Sequence, residues 1–81
     1  MQYDQALHHL RNGGRVCRSG WNGRNMWLVL VPAGAAQVPQ KFSNGYPTSA
    51  FIGMKTADDQ FVPWLCSQTD ALAADWETVL V

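Results

Sequence analysis

The sequence predicts an α+β fold: one small domain over residues 1–81, with a twisted, mostly antiparallel sheet and two short helices. Three observations point to it. Apolar residues recur at helical spacing near the start of the chain. A continuous apolar run fills residues 26–31. Residues 51–65 and 76–81 carry strand patterns separated by turn and cap signals.

The elements follow in order. Residues 3–11 form an amphipathic helix, with Tyr3, Leu7 and Leu10 on one stripe and Ala6 beside it. Gly13 and Gly14 end it. "RVCRSGW", residues 15–21, reads as a first strand, and "GRN" as a turn. "MWLVLVP" is the clearest strand; its unbroken apolar run predicts a central position covered on both faces, closed by Pro32. Residues 33–53 contain three glycines, two prolines and a single charge, Lys41. They read as a long loop with short strand pieces and a turn at Asn44-Gly45. A hairpin follows, with arms at Phe51–Lys55 and residues 61–65 around "TADDQ". Ser67 to Asp70 fits the S-x-x-D helix start, with "DALAAD" as one or two helical turns. Alternation over residues 76–81 reads as a last strand.

Composition narrows the function. Charged residues make up 15% of the chain, against about 25% in typical domains, while hydrophobic residues make up 47%. So few charges cannot cover an 81-residue monomer, which predicts a homo-oligomer. The formal net charge is zero, which argues against a partner of nucleic-acid polymer. The two cysteines form neither a CxxC pair nor a metal spacing, which predicts a cytosolic setting without a disulfide framework. "MQYDQALHHL" lacks the apolar segment of a signal peptide, and no run is long enough for a membrane span.

No catalytic or metal constellation emerges. His8 and His9 are adjacent on a helix and point about 100° apart, so they cannot share one ion. Cys17 has no following helix start to lower its pKa, and both Cys17 and Cys66 read as buried, inert thiols. Asp58-Asp59 suits turn geometry. The glycine pairs form no dinucleotide or phosphate-loop fingerprint.

The aromatics are more informative. Four tryptophans occur in 81 residues. Trp76 reads as core, and so does Trp27. Trp21 differs: Gly20, Asn22 and Gly23 flank it, leaving room for a flat partner on its indole. Stacking on a nucleobase is worth roughly 1–3 kcal/mol. Burial in the core is the competing reading. A second candidate is "WLCSQTD". Ser67, Gln68 and Thr69 supply donors at a helix start, where free backbone N–H groups attract anions. Ordinary capping of the helix explains the same residues equally well. Asp70 suits a ribose hydroxyl better than a phosphate. Arg18 and Arg24 have the shape for phosphate, or stand as solvated charges.

Together, "RSGWNG" at 18–23, "MWL" at 26–28 with Pro32, "MKTAD" at 54–58 and "VPWLCSQTDALAADWE" at 62–77 resemble the second class of Thoeris anti-defence proteins. These are phage sponges first catalogued as a domain of unknown function. The resemblance implies no enzymatic activity and no cofactor. It implies capture of a cyclic ADP-ribose isomer, glyco-cyclic ADP-ribose, made by a bacterial immune enzyme of the Toll/interleukin-receptor type. Holding that signal, in the cytoplasm of the infected host, would block activation of the Thoeris effector. It also implies a homotetramer with pockets shared between subunits. Trp21 would stack on the adenine or wall the pocket, and Asn22 and Gly23 would shape the turn. Ser67, Gln68, Thr69 and Asp70 would meet riboses and pyrophosphate, with Arg18 or Arg24 adding charge. Trp27 and Trp64 would support the wall or pack in the core. The alternatives are a sponge for cyclic di- or trinucleotides, a protein–protein inhibitor and, last, a nucleotide hydrolase. The last lacks a paired acid and base.

Overall fold

The computed structural model describes residues 1–21 and 25–80. In chain order the elements are α1 (Tyr3–Arg11), β1 (Arg15–Arg18), β2 (Trp27–Val31), α2 (Gln40–Ser43), β3 (Phe51–Lys55), β4 (Phe61–Pro63), α3 (Gln68–Leu72) and β5 (Trp76–Val79). The strands form one five-stranded sheet in the order β4-β3-β2-β1-β5. Every pairing is antiparallel.

α1 covers one face of β1, β2 and β5. Its buried residues are Ala6 and Leu10, which meet Val16, Leu28 and Trp76 in the core. The helix ends in a Schellman motif: Gly14 N–H donates to the His9 carbonyl and Gly13 N–H to that of Leu10, both at 3.0 Å. Gly13 takes φ +87°, where a side chain would be strained. Leu30, Ile52, Met54 and Trp64 pack around the core on the same side. Burying one Leu or Val stabilises by about 1.5–3 kcal/mol, so a core of five residues is small.

Several expectations are corrected. Among the described residues there are three short helices rather than two. The additional one, α2, lies in residues 33–53, where a long loop with strand pieces is expected and the only strand is the start of β3: Pro39 sets its first turn, and Asn44 ends it at φ 54°. β2 is the middle strand, but only one of its faces is covered. Leu28 is buried, whereas Trp27, Val29 and Val31 are half-buried on the face away from α1. β1 stops at Arg18, because a turn follows in which Trp21 N–H donates to the Arg18 carbonyl at 3.2 Å. β4 stops at Pro63, which has no N–H for the ladder. α3 starts at the expected Ser67 cap but ends before the last residues of "DALAAD", leaving Ala73 extended at φ −68°, ψ 149°. β5 ends at Val79, with Val81 outside the described residues.

The radius of gyration is 13.6 Å, against about 12 Å for a compact chain of this length. The loop between β2 and β3 stands largely in solvent, with Phe42 74% and Tyr46 73% exposed. No helix among the described residues is long and apolar enough to cross a membrane.

Candidate functional site

The candidate site lies where the end of β1 meets the start of α3 and the entry to β5. Register places Arg18 opposite Trp76 on neighbouring strands, so both side chains lie on the α1 side of the sheet. Arg18 bridges two carboxylates. Its Nε donates to Asp75 Oδ1 at 2.8 Å and its Nη1 to Asp70 Oδ1 at 2.7 Å. These charge-assisted bonds are short and directional.

Asp70 is the hub. Its Oδ1 also accepts from Trp21 Nε1 at 3.4 Å, and its Oδ2 from Ser67 Oγ at 2.9 Å. Its backbone N–H donates to Ser67 Oγ at 3.0 Å, and its carbonyl accepts from Trp76 Nε1 at 2.9 Å. Ser67 is therefore the N-cap of α3, the capping reading of this segment. Burial raises the Asp70 pKa, but Arg18, Ser67 and Trp21 together hold it below the usual carboxylate range. Asp75 is held low chiefly by Arg18, with Gly20 N–H also contributing.

Around these groups stands an aromatic cluster. Trp76 is 2% exposed and sits at its centre. Trp21 and Trp64 meet it edge to face, at centroid distances of 5.5 and 6.0 Å. Tyr3 packs against Trp76 at 5.3 Å. Burial, with Cys66 and the Asp70 carboxylate nearby, pushes the Tyr3 hydroxyl up to about 12. Trp21 is half-buried: one part packs against the cluster, the rest faces solvent.

Of the residues singled out by sequence, the structure brings together Arg18, Trp21, Trp64, Ser67 and Asp70. Gln68 and Thr69 are exposed on the first turn of α3. Trp27 is apart, on the opposite face of the sheet, with the Arg15 guanidinium 4.0 Å over its ring. Asn22, Gly23 and Arg24 lie outside the described residues. Sequence reasoning missed Tyr3, as a site neighbour, and Asp75. The run "WLCSQTDALAAD" held Asp75 as a helix end, and nothing local ties it to Arg18, 57 residues away.

The chemistry on offer is recognition. The cluster presents an indole face, hydroxyl and amide donors, and carboxylates that suit hydroxyl donors. Cys17 is half-buried, and burial with the nearby Glu77 carboxylate pushes its thiol up, which disfavours a thiolate. Among the described residues, no three His, Cys, Asp or Glu side chains come together to hold a metal ion. A depression lined by Ala36, Gln37, Val38 and Pro39 lies in the β2–β3 loop and includes none of the cluster residues.

Comparison with known proteins converges on one family. The model of the Thoeris anti-defense 2-like domain matches residues 1–79. The chain is also similar to Thoeris anti-defense 2 of Bacillus phage SP01, 42% identical over 84 residues that cover 98% of this chain and 94% of that protein. The chain belongs to the Thoeris anti-defense 2-like family.

Proposed function

We propose that the protein counters Thoeris defence by capturing a cyclic ADP-ribose immune signal, glyco-cyclic ADP-ribose, and holding it intact. The reading rests on family membership and on one geometric observation. Trp21 stands half-exposed at the rim of an aromatic cluster, its indole N–H fixed on Asp70. Adenine stacks on the free part of the indole, for roughly 1–3 kcal/mol. The hydroxyls of Ser67 and Thr69, the Gln68 amide and the Asp70 carboxylate meet ribose hydroxyls. Arg18 and its two aspartates sum to one negative charge, so pyrophosphate draws its counter-charge from Arg24 or from a second copy.

Self-assembly, as a homotetramer, is part of the same reading. Phe42, Tyr46, Leu65, Leu72 and Leu80 are each more than 70% exposed, more apolar surface than so small a chain keeps in water. Sequestration also needs tight binding: nanomolar affinity is about −12 kcal/mol, which a pocket closed by two subunits helps to reach. The place of action is the cytoplasm of the infected bacterial host.

A second cargo, a cyclic di- or trinucleotide, is favoured by Trp27. Its ring lies under the Arg15 guanidinium on the opposite face, while its strand partner Lys55 pairs with Asp59. Equilibrium dialysis with glyco-cyclic ADP-ribose tests the proposal. Wild-type protein concentrates the ligand, and Trp21→Ala binds it about tenfold or more weakly. Equal retention by both variants would reject Trp21 as the wall, and displacement by a cyclic dinucleotide would join the two sites into one.

A further inference from the structure

The turn that presents Trp21 is held from outside itself. Asp75, at the entry to β5, meets each of the three residues before the tryptophan. Its Oδ1 accepts from Arg18 Nε at 2.8 Å. Its Oδ2 accepts from Gly20 N–H at 2.9 Å and from Ser19 Oγ at 3.4 Å. Its backbone carbonyl accepts from Ser19 N–H at 3.1 Å. Gly20 is fitted to this contact: a Cβ there would lie 2.8 Å from Asp75 Oδ2. The other arm of Arg18 reaches Asp70, the acceptor of the Trp21 indole N–H.

We propose that Asp75 is the positioning residue of the Trp21 site, clamping residues 18–20 so that the indole is held in one orientation before a ligand arrives. This rests on the reading of Trp21 as a ligand wall. A wall ordered in advance loses less conformational freedom on binding, which raises affinity. The same carboxylate adds to stability through its bond to Arg18, but the fold has other supports. β5 is held by its ladder with β1, by the buried Trp76 ring, and by paired backbone bonds between Trp76 and Met1 at 2.7 and 3.2 Å. The Asp75 side chain is 31% exposed and contributes no apolar packing to the core.

Asp75→Asn is the near-isosteric test. The amide cannot accept from Arg18 and from Gly20 N–H together without turning its own donors toward one of them. The first readout needs no ligand: the indole N–H region of a proton–nitrogen correlation spectrum, with Trp21 assigned by its loss in Trp21→Phe. The Trp21 signal is expected to move toward that of a free indole or to split, while the Trp76 and Trp64 signals stay. The second readout is a double-mutant cycle on affinity for glyco-cyclic ADP-ribose. Asp75→Asn is expected to weaken binding tenfold or more in the wild-type background and by less than threefold in the Trp21→Ala background. An unmoved Trp21 signal, or an equal loss in both backgrounds, overturns the proposal. If Asp75→Asn does not fold, Gly20→Ala presses on the same carboxylate and carries the same expectations. Unchanged affinity in Trp21→Ala rejects the wall reading instead, and the ligand-free spectrum then decides the clamp by itself.

Discussion

Trp21 meets Trp76 edge to face, with ring centroids 5.5 Å apart and planes at 80°. Both indoles donate to one residue: Trp21 to the Asp70 carboxylate, Trp76 to its carbonyl. One ring belongs to the core and the other to its rim. Stability and recognition therefore separate at this contact.

Trp76→Ala is expected to cost about 3–5 kcal/mol, as for other buried aromatic truncations. The total stability of small domains is about 5–15 kcal/mol, so a substantial share of the margin goes. Trp21→Ala is expected to cost less than half as much and to weaken ligand capture about tenfold or more. Urea denaturation of both variants checks the contrast.

Removing Arg18 takes from Asp70 and Asp75 the guanidinium that bridges them. Arg18→Ala is expected to destabilise, by less than the loss of a partner from a fully buried pair because the groups are partly exposed. Arg18→Lys restores little, since an ammonium does not fork across two acceptors as the guanidinium does. Thermal melts of the three proteins measure this.

Acid and alkali both loosen the site, for opposite reasons. Asp70 and Asp75 hold folded-state pKa values below their unfolded ones. Their contribution is fully present above about pH 4 and is lost as pH falls through the folded values. Tyr3 is raised to about 12, so its contribution is present below the unfolded value near 10 and is lost as pH rises toward 12. Urea midpoints from pH 2.5 to 11.5 should trace both limbs. Tyr3→Phe should flatten the alkaline limb and leave the acid limb unchanged.

Gly53 lies on β3 beneath the Phe61 ring, where a Cβ would collide with the aromatic carbons. Gly53→Ala is expected to displace Phe61, loosen β4 and cost about 1–3 kcal/mol. Hydrogen exchange is expected to rise at Phe61 and Val62 and to stay unchanged in β1 and β5.

Much of this was legible from local pattern. The stripe in α1, the Gly13-Gly14 stop, the β3–β4 hairpin and the Ser67 cap each lie within a few residues of their own signal. The helix α2 had a signal too, Pro39 before it and Asn44-Gly45 after, but the glycines and prolines around it read as loop. The run "WLVLV" is apolar at every position, so alternation could not reveal that one face of β2 is open and that Trp27 faces away from Trp21. The Arg18 bridge was illegible for another reason. It joins residues 52 and 57 positions apart, and only the antiparallel pairing of β1 with β5 brings them together.

Capture without breakdown is the central claim, and one filtration test addresses it. Purified protein is mixed with glyco-cyclic ADP-ribose and retained on a filter. The filtrate is assayed, the retained protein is heat-denatured, and the released material is identified by mass spectrometry. The account predicts a depleted filtrate and recovery of the intact ligand from the protein. Breakdown products, or an undepleted filtrate, would contradict it.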